Sequence, residues 1–343
     1  MGVGLTPIII RKILSLEDLR GKSLAVDAQN YLYQFLSLIR MSDGTPLQDS
    51  NGNITSHLAG LMFRSTRLIH DYDIDLVFVF DGKPPSLKKN VIIKRRKLRE
   101  KATKEWQKAL KARDYTTAFS KATMSSHLTR SMIDDAKKLL QLLGIPFVQA
   151  QTEAEAQAAY MAWKGEVWAA SSKDYDCLLY NAPRLLRYLT ISGREFLPSR
   201  MISRRLMPEL IELRRFLFSC GITREQLIDL AILIGTDFNG GVKGIGPKKA
   251  LLLIKNYGKI EKLPSEIKSV LEAQNYLKVR KSFLEPKLID DYTLKYGPLQ
   301  EDELCRFLCD HRDFSRERVE TAIQRMKKFY EIKRQMDLKR WLQ

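Results

Sequence analysis

The stretch LVFVFDGKPPSLKKN (residues 76–90) joins an apolar run to one aspartate, Asp81, and then to a glycine, two prolines and a series of lysines. A short run of Val and Phe that stops at turn-forming residues is typical of a buried β-strand. Helical patterns flank this run on both sides. The sequence therefore predicts an α/β fold with a mostly parallel central sheet flanked by helices.

Two further stretches repeat the pattern of an apolar run that ends in aspartate. SLAVDA (residues 23–28) ends near Asp27, and EVWAASSKDYD (residues 166–176) leads to Asp174 and Asp176. Apolar residues three and four apart predict helices between these strands, in TSHLAGLMFRSTRLIHDY (residues 55–72), SMIDDAKKLLQLLG (131–144) and TEAEAQAAYMAW (152–163). From residue 222 onward the chain reads as mostly helical, and from about residue 315 as one charged helix followed by a short tail.

The strand-end aspartates are candidates for one shared site. A single aspartate at a strand end is usually a helix N-cap or a turn residue. In open α/β sheets, however, ligands bind at the carboxyl ends of the strands. Three strands that each end in aspartate therefore predict that Asp27, Asp81, Asp174 and Asp176 lie in one crevice.

Three more acids extend this set. Glu153 and Glu155 can both face one site near a helix start, where Thr152 is a candidate N-cap, and Asp237 follows the apolar run of TREQLIDLAILIGTDF. Two carboxylates about 4 Å apart repel by roughly 1 kcal/mol in water and by roughly 4 at a dielectric of 20, so the set requires cations. Oxygen ligands without His or Cys favour Mg²⁺ or Mn²⁺ over zinc. Two such ions suit the hydrolysis of a phosphodiester.

The charge distribution indicates the partner. The net charge is +18, and residues 83–113 hold 13 Lys and Arg against 2 Glu. So basic a run is either a solvated helix face or a mobile cover that becomes ordered on a phosphate backbone. Nucleic acid is the expected polyanion. We find no apolar run of about 18 residues and no signal-peptide pattern, so we expect an intracellular protein that does not enter a membrane.

The four cysteines do not form a zinc motif. Cys305 and Cys309 are four residues apart in a helical pattern, which favours buried thiols on one helix face. A stabilising disulfide between them is the alternative if the protein comes from a hyperthermophile.

Taken together, the motifs resemble those of the flap endonuclease family of structure-specific 5′ nucleases, and the chain is most similar to archaeal members. They are MGV (residues 1–3), VDAQNYLYQFL (26–36), LQDSNGNITSHL (47–58), VFVFDGKPPSLK (77–88), TEAEAQAA (152–159), SSKDYDCLLY (171–180) and LIGTDFNGGVKGIGPKKA (233–250). The resemblance implies a PIN-like 5′-nuclease fold with one nuclease domain over residues 1–330. Its parts are an N-terminal region (about 1–105), a helical arch (about 83–130) and an internal region (about 120–260) with a helix-two-turn-helix (about 235–260).

The resemblance also implies roles for the candidate residues at the centre of the molecule. The seven acids match the family's ligands for two Mg²⁺ ions, for which Mn²⁺ can substitute. Lys88 and Arg95 of the arch match residues that hold the scissile phosphate, and Tyr33 matches a residue on which a nucleotide stacks. Gly2 matches a family N-terminus that lies near the active site.

Further residues are implied to contact DNA. The helix-two-turn-helix would grip duplex DNA and hold a K⁺ ion, and a separate pocket would accept a one-nucleotide 3′ flap. Asp313 stands where many members have another residue, which leaves the details of that pocket open. The implied duplex contacts are Gly244, Gly246, Lys248 and Lys249, and the implied pocket residues are Arg40, Thr55, Arg312 and Phe314.

The last residues, 331–343, form a tail that resembles a peptide that docks on sliding clamps. Its implied contacts with the clamp, PCNA, are Gln335, Leu338, Trp341 and Leu342. Because the chain ends with this peptide, we expect a protein of an archaeal cytoplasm. We also expect a monomer.

The function implied by the resemblance is a Mg²⁺-dependent 5′ flap endonuclease and 5′–3′ exonuclease of replication and repair. It would cut branched DNA near the base of a 5′ flap, as in the processing of Okazaki fragments and in long-patch base excision repair. Two alternatives stay open. One is a non-catalytic scaffold that binds DNA junctions, and the other is a nuclease that cuts bubbles or digests processively from the 5′ end.

Overall fold

The structure is a computed structural model that describes residues 2–41, 43–189, 193–197 and 202–341. The central sheet has the strand order β1-β9-β6-β5-β2-β3-β4 in this part of the chain. The pairs β2–β3, β2–β5, β3–β4 and β5–β6 are parallel, while β9 pairs antiparallel with β1 and β6. This confirms the predicted α/β fold. The strands are β1 (Lys12–Ile13), β2 (Ser23–Asp27), β3 (Asp75–Phe80), β4 (Phe147–Gln149), β5 (Ala169–Ser171), β6 (Arg184–Arg187), β7 (Gly193–Leu197), β8 (Ile202–Leu206) and β9 (Glu209–Glu212).

Helices surround the sheet, and β7 and β8 form a separate antiparallel pair. The helices are α1 (Ala28–Leu38), α2 (Ser56–Tyr72), α3 (Lys89–Lys111), α4 (Tyr115–Ser125), α5 (Arg130–Leu143), α6 (Ala154–Trp163), α7 (Asp176–Leu179), α8 (Leu213–Cys220), α9 (Arg224–Ile234), α10 (Pro247–Tyr257), α11 (Ser265–Ala273), α12 (Tyr276–Leu284), α13 (Glu301–Cys305) and α14 (Arg316–Trp341). None of the described helices combines the length and the apolar character needed to cross a bilayer.

The alternation of residues along β3 explains why the core has two halves. Val77 and Val79 belong to a buried cluster with helices α6 to α12, whereas Leu76, Phe78 and Phe80 belong to a second cluster with α1, α2, α5, α13 and α14. Successive side chains of a strand point to opposite faces, so a strand covered on both faces is apolar throughout. The run that predicted this strand is therefore buried on both sides of the sheet.

The structure corrects three details of the sequence analysis. The third predicted strand is only β5, so Asp174 and Asp176 lie in the loop and helix start that follow it. The last helix, α14, continues to Trp341, which places most of the predicted tail in the helix. Leu342, predicted to contact the clamp, lies outside the described residues. All four cysteines are free, and Cys305 and Cys309 are only half-buried.

Candidate active site

Asp27 and Asp81 lie at the carboxyl ends of the adjacent parallel strands β2 and β3. Asp27 caps α1, because its Oδ1 accepts a hydrogen bond of 3.0 Å from the backbone N–H of Asn30. Asp81 Oδ1 accepts a bond of 2.7 Å from the backbone N–H of Ala154, the first residue of α6. Each aspartate thus fixes one helix start and also presents its remaining carboxylate oxygen at the sheet edge.

The start of α6 differs from the prediction. Thr152 is not the N-cap; that position belongs to Glu153, whose side chain makes no capping hydrogen bond. The bond from Ala154 to Asp81 supplies a partner for a backbone N–H that a cap would otherwise satisfy. Glu153 is therefore free to face the site, and Glu155 follows within the first turn.

Two polar residues connect acids that are distant in sequence. Ser172 Oγ donates to Glu155 Oε1 (2.8 Å), and it lies 3.4 Å from Asp27 Oδ2. Asn30 Nδ2 donates to Asp174 Oδ2 at 3.2 Å. Sequence reasoning did not single out Ser172 or Asn30. Their positions in the sequence give only weak signals: Ser172 directly follows β5, and Asn30 stands three residues after Asp27.

The beginning of the chain closes one side of the site. The backbone N–H of Val3 donates to Asp176 Oδ1 at 2.8 Å. A Cβ at Gly2 would lie 2.5 Å from the same oxygen and 2.9 Å from the Cβ of Asp174. The structure thus places Gly2 beside Asp174 and Asp176, with little room for a side chain at this position.

Two cations of the arch reach the opposite side of the site. Lys88 forms an ion pair with Glu153, and its Nζ lies 3.6 Å from Asp237 Oδ2. Arg95 Nη2 lies 2.6 Å from Asp237 Oδ1. All seven predicted acids thus lie in one crevice, linked to one another by Asn30, Ser172, Lys88 or direct electrostatic interaction.

Burial and mutual repulsion govern the protonation of the acids. Burial, together with the Asp174 and Asp237 charges, raises the pKa of Asp176 to about 7. Burial and Asp176 raise the pKa of Glu155 well above its ordinary value, and burial and Asp81 do the same for Asp27. Asp237 is the exception, because Lys88 and Arg95 outweigh its burial and lower its pKa. The site is rich in negative charge that is only partly neutralised by the protein.

The chemistry of this donor set fits hard divalent cations. The donors are all carboxylate oxygens. The Lys88 ammonium, itself a cation, lies close to two of them, on Glu153 and Asp237. As placed in the described residues, no three of the acids are arranged to hold one ion. Glu153 and Asp237 are paired with the arch cations Lys88 and Arg95. The acids are of the ligand type that suits Mg²⁺ or Mn²⁺.

The arch itself is built from a short 3₁₀ helix (Ser86–Lys88), α3 and α4. The Arg99 guanidinium of α3 lies 5.1 Å from the centre of the Tyr33 ring. This cation–π contact covers a face of the side chain that was predicted to stack on a nucleotide. The arch thus lies against the site in the described structure.

The region predicted as a helix-two-turn-helix, about residues 235–260, contains the loop 235–246 and α10, and α9 precedes it. Gly244 has φ +81°, in the region that favours glycine, and Gly246 caps α10, which starts with Pro247. Lys248 and Lys249 are exposed in the first turn of α10. Exposed backbone N–H groups and two lysines at a helix start suit a phosphate.

The four residues of the predicted 3′-flap pocket make internal contacts. Arg40 donates to the carbonyls of Leu36 and Gly44, at 2.8 and 2.6 Å, and to Ser126 Oγ. Thr55 is buried immediately before α2. Arg312 forms ion pairs with Asp49 and Asp135, and the Phe314 ring lies 6.2 Å from that of Phe63. Thr55 and Arg312 thus contact the segment 47–55, Phe314 packs near Phe63 of α2, and Arg40 is bonded to Ser126 at the end of α4.

Comparison with known proteins agrees with this geometry. Residues 1–102 match the model of the XPG N-terminal domain and residues 144–237 that of the XPG I-region. The chain is 49% identical over 342 residues to flap endonuclease 1 of Pyrococcus abyssi, covering 99% of this chain and 98% of the relative. It is 47% identical to flap endonuclease 1 of Pyrococcus furiosus, with 99% of each chain covered.

A solved structure extends the likeness to three dimensions. Flap endonuclease-1 from Methanococcus jannaschii superposes with a TM-score of 0.76 at 40% identity, over 97% of this chain and 100% of that one. The catalytic core of Rad2 in complex with DNA, at 22% identity and a TM-score of 0.66, shares the fold. The acids that meet at the strand ends, the arch above them and these full-length matches show that the chain belongs to the flap endonuclease family.

Proposed function

We propose that this protein is a divalent-metal-dependent 5′ flap endonuclease that hydrolyses one phosphodiester near the base of the flap, with 5′–3′ exonuclease activity on nicked or gapped duplex. The observation that supports this most is the crevice of seven carboxylates beneath a basic arch. Acidic ligands beside a basic surface are what metal-assisted cleavage of a polyanion requires. The same activity would serve Okazaki fragment processing and long-patch base excision repair.

The metal ligands would be Asp27, Asp81, Glu153, Glu155, Asp174, Asp176 and Asp237. When bound, two Mg²⁺ ions, or Mn²⁺ in their place, would promote the ionisation of a water and stabilise the leaving 3′ oxygen. The protein's own part is to hold the phosphate. Lys88 and Arg95 would exchange Glu153 and Asp237 for non-bridging phosphate oxygens. This exchange frees both acids at the moment when the substrate arrives.

Other residues would position the branched DNA. Gly244, Gly246, Lys248 and Lys249 would contact duplex phosphates, with K⁺ bound at the same loop. Tyr33 would stack on a nucleotide after Arg99 leaves its ring. Arg40, Thr55, Arg312 and Phe314 would form the pocket for a one-nucleotide 3′ flap. To contact DNA in these ways, Tyr33, Arg40 and Arg312 would have to break or share the internal contacts described above.

We also propose that the C-terminal residues dock on a sliding clamp, PCNA, through Gln335, Leu338, Trp341 and Leu342. Gln335 is exposed near the end of α14, beyond the buried contacts of Met326 and Phe329. An exposed residue near the end of a terminal helix is accessible to a partner. The enzyme would act as a monomer in the cytoplasm of an archaeon.

The decisive experiment is cleavage of an end-labelled double-flap DNA with Mg²⁺, beside the same strands as plain duplex and as free single strand. One dominant cut near the junction that EDTA abolishes supports the proposal. An even ladder from the 5′ end would instead favour a processive exonuclease. Binding of the junction without any cut would favour a non-catalytic scaffold.

A further inference from the structure

Asp313 bonds to a turn that is distant in the sequence. One oxygen, Oδ2, accepts a hydrogen bond of 2.5 Å from the backbone N–H of Ser50, 263 positions earlier. Asp313 has φ +55°, a left-handed conformation that Gly, Asn and Asp adopt most readily. The backbone thus aims this carboxylate at the turn.

The preceding residue holds the same turn. Arg312 Nη1 lies 3.3 Å from Asp49 Oδ2, and Arg312 Nη2 lies 2.6 Å from Asp135 Oδ2 on α5. The Asp49 side chain is fully buried, and its Oδ1 accepts bonds from the backbone N–H groups of Asn51 (3.1 Å) and Asn53 (2.8 Å). Residues 49–53 therefore form a turn folded around Asp49 and fastened twice to residues 312–313.

This turn leads directly to the proposed 3′-flap pocket. Gln48 and Ile54 form an antiparallel bridge across it, and the backbone N–H of Thr55 donates to the carbonyl of Leu47 at 2.8 Å. Helix α2 begins at the next residue, and its Phe63 contacts Phe314. Displacing the turn would displace Thr55, and releasing residues 312–313 would displace the residues on the other side.

We propose that Asp313 is a positioning residue that fastens the turn 49–53 before DNA arrives, and that it thereby strengthens the preference for substrates with a one-nucleotide 3′ flap. This inference rests on the proposed function, in which the neighbouring residues bind that flap. A turn that is already fixed loses little conformational entropy when the flap binds, so affinity is gained without any new contact to DNA.

Two substitutions separate the carboxylate from the backbone conformation. Asp313→Gly keeps the left-handed conformation but removes the acceptor. Asp313→Asn keeps both, because its side-chain carbonyl can accept the Ser50 N–H. Both variants are compared with the wild-type full chain on a double-flap DNA and on the same DNA without the 3′ nucleotide.

For Asp313→Gly we expect KM on the 3′-flapped DNA to rise about fivefold, with kcat unchanged, since an exposed charge-assisted hydrogen bond is lost. KM on the DNA without the 3′ nucleotide should stay at the wild-type value. Asp313→Asn should restore most of the preference. An Asp313→Gly enzyme that retains the wild-type preference, or that loses activity equally on both substrates, would overturn the inference.

Amide hydrogen exchange without DNA distinguishes this inference from the pocket proposal. We expect protection of the Ser50 amide in the wild-type protein and its loss in Asp313→Gly. Absence of protection in the wild type would overturn the fastening itself. A protected Ser50 together with equal wild-type KM on both substrates would show that the turn is fastened but that the proposed 3′-flap pocket, and with it the specificity role of Asp313, is wrong.

Discussion

Arg95 and Asp237 form an ion pair of 2.6 Å that joins the arch to the loop after α9. The pair connects a residue proposed to bind phosphate with a residue proposed to bind metal. Lys88 makes the equivalent connection to Glu153. Two arch cations thus pair with two of the seven acids, and under the proposed function both pairs would have to open before phosphate and metal could bind.

Loss of one acid should remove cleavage and spare DNA binding. Asp81→Asn retains the size of the side chain but reduces the negative charge at the sheet edge. We expect the single-turnover rate to fall by at least about 10²–10³-fold. The Kd for flap DNA in Ca²⁺ should change little. Asp134→Asn, at an exposed position on α5, is the control, and substantial turnover by Asp81→Asn would contradict the ligand assignment.

The arch offers a matched pair of adjacent arginines. Arg95 contacts Asp237, whereas Arg96 is exposed and contacts Glu100 within the same helix. We expect Arg95→Ala to slow single-turnover cleavage about 10²-fold, because a charge at the reacting phosphate is lost. Arg96→Ala should weaken binding slightly and leave the rate at saturation unchanged. Equal effects of the two substitutions would mean that α3 serves only as an electrostatic clamp.

The raised pKa values predict how the stability of the metal-free protein depends on pH. Folded Asp176 has a pKa of about 7, above its ordinary value of 3.8, so between these values the folded state binds more protons than the unfolded state. Its stabilising contribution is complete below about pH 4 and is lost as the pH rises through about 7, by at most about 1.4 kcal/mol per pH unit.

Thermal unfolding in EDTA tests this dependence. We expect the melting temperature to be lower at pH 8 than at pH 6, and Mg²⁺ to recover it at pH 8. Asp237 contributes in the opposite direction, since Lys88 and Arg95 lower its pKa, but it titrates at a more acidic pH. Asp176→Asn should flatten the difference between pH 6 and pH 8. A melting temperature independent of pH in the wild type would refute the raised pKa.

A buried ion-pair network stabilises the helices around α9. Arg280 of α12 donates to Asp229 at 2.7 Å and to Glu261 at 2.6 Å, and Asp229 is almost completely buried. Arg280→Ala leaves a buried carboxylate without its partner, so the free energy of unfolding should fall by about 3 kcal/mol. Lys281→Ala, at a largely exposed neighbour, should change it by less than about 0.5 kcal/mol. Chemical denaturation of both variants measures the difference.

Deletion of residues 335–343 should separate recruitment from catalysis. The deletion starts after Met326 and Phe329, the last buried residues of α14 among those whose burial the structure describes, so nuclease activity on free flap DNA should be unchanged. Affinity for a sliding clamp, measured by calorimetry, should be lost. Lys339→Ala is a control within the same segment, for which clamp affinity should stay within about threefold of the wild type. Unchanged clamp affinity after the deletion would refute the docking proposal.

The sequence predicted the parts of the site that depend on local patterns. Apolar strands that end in aspartate located Asp27 and Asp81, because strand alternation and the topology of parallel sheets are readable along the chain. The short strands β6 and β9 were not predicted. β6 carries arginines at both ends, and its two leucines, Leu185 and Leu186, are buried in opposite core clusters.

Contacts between distant residues lay beyond sequence reasoning. The preference of threonine for N-cap positions predicted Thr152 as the cap of α6. In the structure, the backbone N–H of Ala154 bonds instead to Asp81, a residue distant in sequence. The bond between Ser50 and Asp313 has no local signal at all. Charge pattern alone marked the arch as basic, without indicating that Lys88 would pair with an acid 65 positions away.

The position of Asp237 between α9 and α10 has a consequence for where the strand is cut. The loop that carries it is tied to the end of α9, since Asn239 donates to the carbonyl of Ile232 at 2.8 Å and the backbone N–H of Val242 to that of Leu233 at 2.9 Å. A duplex gripped at Gly244–Lys249 would therefore be held at a constant spacing from the hydrolytic centre. The length of this loop would then set the distance between the duplex contacts and the cut. Lengthening the loop should move the cut by whole nucleotides instead of merely slowing cleavage.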